Sequence, residues 1–311
     1  LNFSPDWVWT KSRNVANSHY LFDSVRGALK ALISDGTTAE STQADSLESF
    51  TSDGYTLGTN TNVNVSGGYT FVGWSWLAGT AFSNDASATS VGTIDSDGQI
   101  NTTAGFSIIS YTGNNTDNAT VAHGLSSTPE IIFLRARNEA ENWVVYHKDI
   151  TPASNSLALN LNIAPTAFGF GWIDNATSTV FRLNDGSSDR DNVNKNTTNY
   201  IAYCFHSVEG FSSVGNYIGT GSTSGTAGPY VYTGFRPAWV MLKRTDSTGS
   251  WWILDSTRDP FNEALRGFEG NDQDAETGYS GNFLDFYSNG FAVRTSGVQV
   301  NASSGTYVYL A

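Results

Sequence analysis

The chain has little of several things that most proteins of its size carry. It holds one cysteine in 311 residues, Cys204, so no disulfide can form within it. That residue lies in the apolar run Tyr200-Ile-Ala-Tyr-Cys-Phe205, which reads as a buried strand in which the thiol is a small core group. Charged side chains make up 14% of the residues, well below the roughly 25% of an ordinary domain, so neutral Ser, Thr, Asn and Gly must do most of the solvation. Among the charges, 29 acidic residues face 16 basic ones, a net charge of −13 that repels phosphate backbones and argues against a nucleic-acid partner. No stretch approaches 18 consecutive apolar residues, so no helical membrane span is expected. The four histidines, His19, His123, His147 and His206, form no His-x-x-x-His pair, and no Gly-x-Ser-x-Gly elbow is present. The residues offer no catalytic case, and the chain is read as a non-enzyme. The ends, Leu1-Asn-Phe-Ser-Pro5 and Thr306-Tyr-Val-Tyr-Leu-Ala311, read as cuts in a longer polypeptide.

What is abundant points one way. The 9 Trp, 14 Tyr and 18 Phe stand among β-branched residues and are separated by clusters of Gly, Asn, Ser and Asp, the composition of short strands joined by tight turns.

Internal repetition organises these strands. A strand after a proline recurs as Pro5-Asp-Trp-Val-Trp-Thr-Lys11, Pro129-Glu-Ile-Ile-Phe-Leu-Arg135 and Pro237-Ala-Trp-Val-Met-Leu-Lys243, each with a basic residue six positions on. A second strand follows: His19-Tyr-Leu-Phe-Asp23, Asn142-Trp-Val-Val-Tyr-His147 and Ser250-Trp-Trp-Ile-Leu-Asp255. A turn and short strand come next, Ser52-Asp-Gly-Tyr-Thr-Leu57 and Ser288-Asn-Gly-Phe-Ala-Val293; the middle copy has Ser178-Thr-Val-Phe-Arg-Leu183 instead. Closing elements are Val63-Asn64 with Gly68-Tyr-Thr-Phe-Val72, Val193-Asn194 with Asn199-Tyr-Ile-Ala-Tyr203, and Val300-Asn301 with Gly305-Thr-Tyr-Val-Tyr309. Gly105-Phe-Ser-Ile-Ile-Ser-Tyr-Thr-Gly113 is repeated at Gly210-Phe-Ser-Ser-Val-Gly-Asn-Tyr-Ile-Gly219.

The expected architecture is therefore all-β: tandem antiparallel β-sandwich modules, lectin-like or jelly-roll-like, with very little helix. Residues 1–77 are a first module without its opening hairpin, 78–104 an irregular linker with room for one hairpin, 105–209 the second module and 210–311 the third. The best helical stretch is Ser24–Ile33, matched loosely by Asn262–Arg266. Whether the modules are separate or share sheets stays open.

The motifs Pro5-Asp-Trp-Val-Trp, Leu21-Phe-Asp-Ser-Val-Arg-Gly27, Ser52-Asp-Gly-Tyr-Thr-Leu-Gly58 and Gly105–Gly113 together resemble a repeat of unassigned function in tail-fibre-like virion proteins of marine bacteriophages, including phages of cyanobacteria. The resemblance implies a structural virion protein, located in the virion or extracellularly, and brings no catalytic residues with it. It also implies self-association, with a trimer as the family-level expectation, and contacts with other virion proteins. A host surface glycan or receptor would meet loops on the β scaffold. Two alternatives stand beside this: a purely architectural capsid-decoration or surface-filament component, and a polysaccharide depolymerase, which needs two carboxyl groups about 5 to 9.5 Å apart.

Site candidates follow from the same patterns. Trp7, Trp9, Trp143, Trp239, Trp252, Tyr69, Tyr200 and Tyr307 recur in repeated strands and are read as core, since repetition favours packing. Tyr111, Tyr217 and Tyr279 are read as loop residues free to stack on sugar rings. No resident cofactor is expected, and calcium is the one metal considered. Its candidate ligands are Asp185, Asp189 and Asp191 in one acidic loop and Asp272 and Asp274 in another; against it stands the ordinary use of Asp in solvated turns.

Overall fold

The computed structural model describes residues 1–166, 172–184, 192–222, 228–278 and 283–311. Strand accounts for 42% of the chain and helix for 3%. Each repeat builds one large antiparallel sheet around the same pair. The post-proline strand (Trp7–Ser12, Ile131–Ala136, Trp239–Arg244) lies beside the closing strand (Phe71–Trp76, Asn199–Phe205, Thr306–Leu310). On its other side runs the second strand (Tyr20–Asp23, Val144–His147, Trp252–Asp255). In repeats 2 and 3 an opening strand, Phe106–Thr112 or Val214–Ile218, pairs with the far edge of the closing strand. Repeat 1 has no such strand.

A smaller sheet packs on the outer face of each large one. It is Leu47–Thr51 with Gly54–Leu57 in repeat 1. In repeat 2 it is Thr120–Ala122, Val180–Asn184 and Trp172–Ala176, and in repeat 3 Tyr230–Tyr232, Gly290–Val293 and Leu284–Tyr287. The alternation of side chains along a strand divides each large sheet between two cores. Val8, Ile132 and Val240 point into their own repeat's sandwich. Trp7 and Trp9, Ile131 and Phe133, and Met241 point the other way, into one core common to all three repeats.

Segment 78–104, expected as an irregular linker with room for one hairpin, forms the antiparallel strands Thr80–Asn84 and Ser96–Asn101, and these extend the repeat 2 sheet beyond Phe106–Thr112. Ser24–Ile33 is not helical. Gly27 turns the chain at φ +99° and Lys30–Ile33 pairs back on Tyr20–Leu21 as a strand. Asn262–Arg266 is irregular up to the strand that starts at Arg266. The short helices among the described residues are Ala86–Thr89, where the Asp85 carboxylate accepts from the Ser87 and Ala88 N–H groups, and Val298–Asn301.

The repeats close into a ring, and one set of side-chain donors recurs in the same direction at each junction, while the backbone N–H groups of Glu40 and Glu276 donate the other way, to Arg137 O and Arg13 O. From repeat 2 to repeat 1, the Trp143 indole N–H donates to Ile33 O (2.8 Å) and Arg135 to Thr38 O (2.9 Å). From repeat 3 to repeat 2, Trp251 donates to Ala158 O (2.8 Å) and Lys243 to Ile163 O (2.8 Å). From repeat 1 to repeat 3, Lys11 donates to Gln273 O (3.2 Å) and Arg13 pairs with Glu276 (2.9 Å). A head-to-tail contact that closes in this way is what builds a cyclic trimer; here it is built within one polypeptide.

The ring explains the repeated basic residue. Lys11, Arg135 and Lys243 are all fully buried, and each donates a hydrogen bond to a backbone carbonyl of the neighbouring repeat. Burial pushes Lys11 down to about 8, Arg135 to about 10 and Lys243 to about 7. Phe268 lies beneath the Lys11 ammonium and Trp143 beneath the Arg135 guanidinium, contacts that favour the charged forms.

The odd histidine of the middle repeat has its reason here too. Tyr203 of repeat 2 donates to Asp23 of repeat 1 (2.6 Å), and Trp74 of repeat 1 donates to Asp255 of repeat 3 (3.0 Å). The matching residue of repeat 3 is Leu310, which has no donor, so an aspartate opposite it would be buried without a partner. Repeat 2 carries His147 at that place, neutral because burial pushes it down to about 4.

Candidate functional site

Most of the aromatic residues expected as core are core. Trp7, Trp9, Trp143, Trp252, Tyr200 and Tyr307 are all buried. Trp239 is half-buried, set edge-on to Trp76 at 5.5 Å in the wall of a cavity. Tyr69 is 43% exposed and precedes its strand. The strand register shows why: Ser12 faces Phe71, as Ala136 faces Tyr200 and Arg244 faces Tyr307, so Phe71 is the true counterpart.

The tyrosines expected to be free are not. Tyr111 and Tyr217 are buried in the opening strands, stacked on Tyr200 at 5.1 Å and on Tyr307 at 4.9 Å. Their hydroxyls donate to Val193 O (2.6 Å) and Val300 O (2.8 Å). They occupy the same place in two repeats, and their repetition was the signal that they pack. Tyr279, Asp185, Asp189 and Asp191 lie outside the described residues. Asp272 and Asp274 are exposed; the Asp272 carboxylate accepts from the Asp274 N–H at 3.0 Å, the local turn expected of a solvated loop. No group of three or more His, Cys, Asp or Glu suited to a metal ion occurs among the described residues.

Two surface features stand out. The first is a cavity of about 830 Å³ at one end of the common core, walled by all three repeats through Trp76, Phe106, Phe205, Trp239 and Leu310. Glu209 is the one acidic residue in its lining. A second cavity, of about 370 Å³ between repeats 2 and 3, contains Asp149 as its one acidic residue. Neither brings together the carboxylate pair that glycoside hydrolysis needs.

The second feature is the solvent face of the small sheet of repeat 3. Val231, Phe291 and Phe286 pair across the sheet and fill the core beneath. The alternate residues form two rows on the opposite side, Tyr230–Ala292–Asp285 and Tyr232–Gly290–Tyr287, in which Ala292, Asp285 and Gly290 are themselves buried. Tyr230 is 49% exposed and Tyr232 67%. Tyr230 leans over Gly290, where an added Cβ would come within 2.9 Å of the tyrosine hydroxyl, and meets Tyr287 edge-on at 5.9 Å. Its hydroxyl donates to Asn289 Oδ1 at 2.6 Å, which fixes the ring. Asp285 pairs with Arg294 (3.2 Å) and accepts from the Tyr287 hydroxyl (3.1 Å). The result is a strip of three rings beside a carboxylate and a guanidinium.

This strip belongs to one repeat only. Val121 of repeat 2 faces Phe181 as Val231 faces Phe291, so Thr120 and Ala122 stand where repeat 3 has Tyr230 and Tyr232. Tyr230 packs locally over Gly290 and Tyr287 while Tyr232 stays mostly exposed, and neither ring fills the core beneath the sheet. The departure is visible in the sequence, where Tyr230 and Tyr232 stand against Thr120 and Ala122.

The model of one family, described as a domain of unknown function (DUF7483), matches residues 1–311. The chain belongs to that family. Its match runs through all three repeats, so the DUF7483 unit comprises the whole ring. No curated protein and no solved structure gives a significant match.

Proposed function

We propose that this DUF7483 chain is a non-catalytic, structural segment of a virion appendage that contacts a surface glycan through the tyrosine face of its third repeat. The virion setting rests on the resemblance of the repeat motifs. The glycan reading rests on one observation: Tyr230 and Tyr232 are solvent-facing at positions where the sister repeat has Thr120 and Ala122. Exposed rings carried on a rigid sheet offer large contact area at little conformational cost, as sugar stacking requires. The contact thus moves from the loops expected earlier to a sheet face. Self-association, on this reading, is met inside the chain, because the head-to-tail contacts of a trimer are already made between its own repeats.

The test is binding of the labelled chain to intact candidate host cells and to their extracted surface polysaccharide. Saturable binding is expected, weakened about tenfold or more by Tyr232→Ala, which removes a mostly exposed ring and leaves the fold unchanged. Absence of binding by the folded protein would shift the role to architecture, with the apolar cavity at the end of the common core as the contact.

A further inference from the structure

Repeats 2 and 3 close both of their layers with an opening hairpin, and repeat 1 does not. Its strand Phe71–Trp76 is the last of its sheet, whereas Asn199–Phe205 and Thr306–Leu310 are covered by Phe106–Thr112 and Val214–Ile218. Its strand Gly54–Leu57 pairs only with Leu47–Thr51, whereas Val180–Asn184 and Gly290–Val293 have a further neighbour in Thr120–Ala122 and Tyr230–Tyr232. The Arg13 N–H donates to Thr70 O, so the antiparallel register turns the N–H and C=O groups of Phe71, Gly73 and Ser75 away from Trp7–Ser12. No described residue gives those groups a hydrogen-bond partner. The matching Tyr200, Ala202 and Cys204 pair with Tyr111, Ile109 and Ser107 and are fully buried, while Gly73 is exposed and Phe71 and Ser75 are half-buried.

Repeat 1 nevertheless keeps the socket into which such a hairpin fits. Tyr111 stacks on Tyr200 at 5.1 Å and meets Phe181 edge-on at 6.2 Å; Tyr217 stands in the same way to Tyr307 (4.9 Å) and Phe291 (6.4 Å). The counterparts in repeat 1 are Phe71 and Tyr55, both half-buried, and no ring among the described residues stacks on either. The hydroxyls of Tyr111 and Tyr217 donate to Val193 O and Val300 O, and the N–H groups of Asn114 and Thr220 to Oδ1 of Asn194 (2.9 Å) and Asn301 (2.7 Å). Val63-Asn64 repeats that pair. Asn64 is exposed where Asn194 and Asn301 are buried, and neither Val63 O nor Asn64 Oδ1 accepts from a described residue. Two rings and two acceptors matched to an opening strand thus stand in the one repeat that has none.

We infer that repeat 1 is a docking slot for an opening hairpin of this same repeat type, supplied by a polypeptide segment outside residues 1–311. A second copy of the chain is not the donor, because its own opening strands are already paired within its repeats 2 and 3. The first strand of the occupant runs antiparallel to Phe71–Trp76 and ends in Tyr-x-Gly. Its tyrosine enters between Phe71 and Tyr55 and donates to Val63 O. The glycine is required because a Cβ at Gly113 or Gly219 would collide with Lys195 O or Ala302 O. The second strand sets an aliphatic residue opposite Tyr55, as Val121 faces Phe181 and Val231 faces Phe291. Main-chain hydrogen bonds to the open edge supply affinity, and the alternate side chains supply selection.

The probe is a synthetic peptide of residues 105–122, added to the chain of residues 1–311. Saturable one-to-one binding is expected by fluorescence anisotropy, with amide hydrogen exchange at Phe71, Gly73 and Ser75 slowed by about tenfold or more. Tyr111→Ala or Gly113→Val, made in the peptide alone so that the protein is untouched, should each weaken binding by about tenfold or more. In the protein, Ser75→Pro removes an outward N–H and none that pairs with Trp7–Ser12, a change that an edge strand tolerates, and uptake should be lost. Absence of binding, binding indifferent to Tyr111→Ala, or protection at Val214–Ile218 instead of Phe71–Ser75 would overturn the slot. So would a chain that dimerises through this edge and refuses the peptide.

Discussion

Asp23→Ala should lower the unfolding free energy by about 3–5 kcal/mol, the cost of breaking a buried ion pair from one side. Neither Asp23 nor Arg26 has any exposed side-chain surface, and Arg26 Nε lies 2.5 Å from Oδ2. The backbone N–H of Arg26 donates to Oδ1 (2.8 Å), and the Tyr203 hydroxyl of repeat 2 donates to Oδ2 (2.6 Å). Alanine leaves a guanidinium in the core with Glu40 as its remaining carboxylate, at 3.3 Å. Asp255→Ala should act alike, since Arg258 holds it at 2.5 Å and Trp74 donates to it from repeat 1. Urea denaturation followed by tryptophan fluorescence and by far-ultraviolet dichroism checks both. Because each aspartate joins two repeats, a single transition should shift as a whole. A loss confined to part of the signal would mean that the repeats unfold independently. Asp53→Ala, at an exposed turn, serves as the control and should change stability by less than about 0.5 kcal/mol.

Acid should destabilise the fold well above the range where carboxylates titrate. Three histidines are buried and neutral, and in each Nδ1 accepts an N–H: from the Trp9 indole to His19 (2.9 Å), from Leu125 to His123 (3.1 Å) and from Asp149 to His147 (3.2 Å). Desolvation pushes His123 and His147 down to about 4 and His19 well below its usual value. The unfolded chain takes up these protons as the pH falls below about 6.5, whereas the folded chain refuses them until about 4. The stability these histidines contribute is therefore full above pH 6.5 and is lost progressively toward pH 4, by up to about 3 kcal/mol for each of His123 and His147. Urea midpoints at pH 7.5, 5.5 and 4.5 should fall in that order, and His123→Gln should flatten the slope. A midpoint independent of pH over this interval would contradict the assignment.

The strands were legible in the sequence because their signals are local. A proline, a run of alternating aromatic and aliphatic residues and a basic residue six positions on mark the same strand three times, and all three form it. The ring was not legible, since its donors are side chains but most of its acceptors are main-chain carbonyls. Lys11 gives no hint that it reaches Gln273 O, nor Lys243 that it reaches Ile163 O. Tyr69 was misplaced by two residues because the Gly-Tyr pairs of the closing elements align by eye but not in register with Ser12. For the candidate site, the repeats carry two opposite signals. Repetition marks packing, which accounts for Tyr111 and Tyr217; its converse, that a solvent-facing departure from the repeat marks function, points to Tyr230 and Tyr232.

The most direct test follows backbone amide shifts of the full chain by NMR as an oligosaccharide from the bound surface glycan is titrated in. Shifts should be confined to residues 228–234 and 284–294, leaving the matching strand Thr120–Ala122 of repeat 2 and the cavity around Trp76 and Phe205 unchanged. Perturbations centred on Thr120–Ala122 or on that cavity, with Tyr230 and Tyr232 silent, would contradict a ring of three repeats that shows one sugar-binding face.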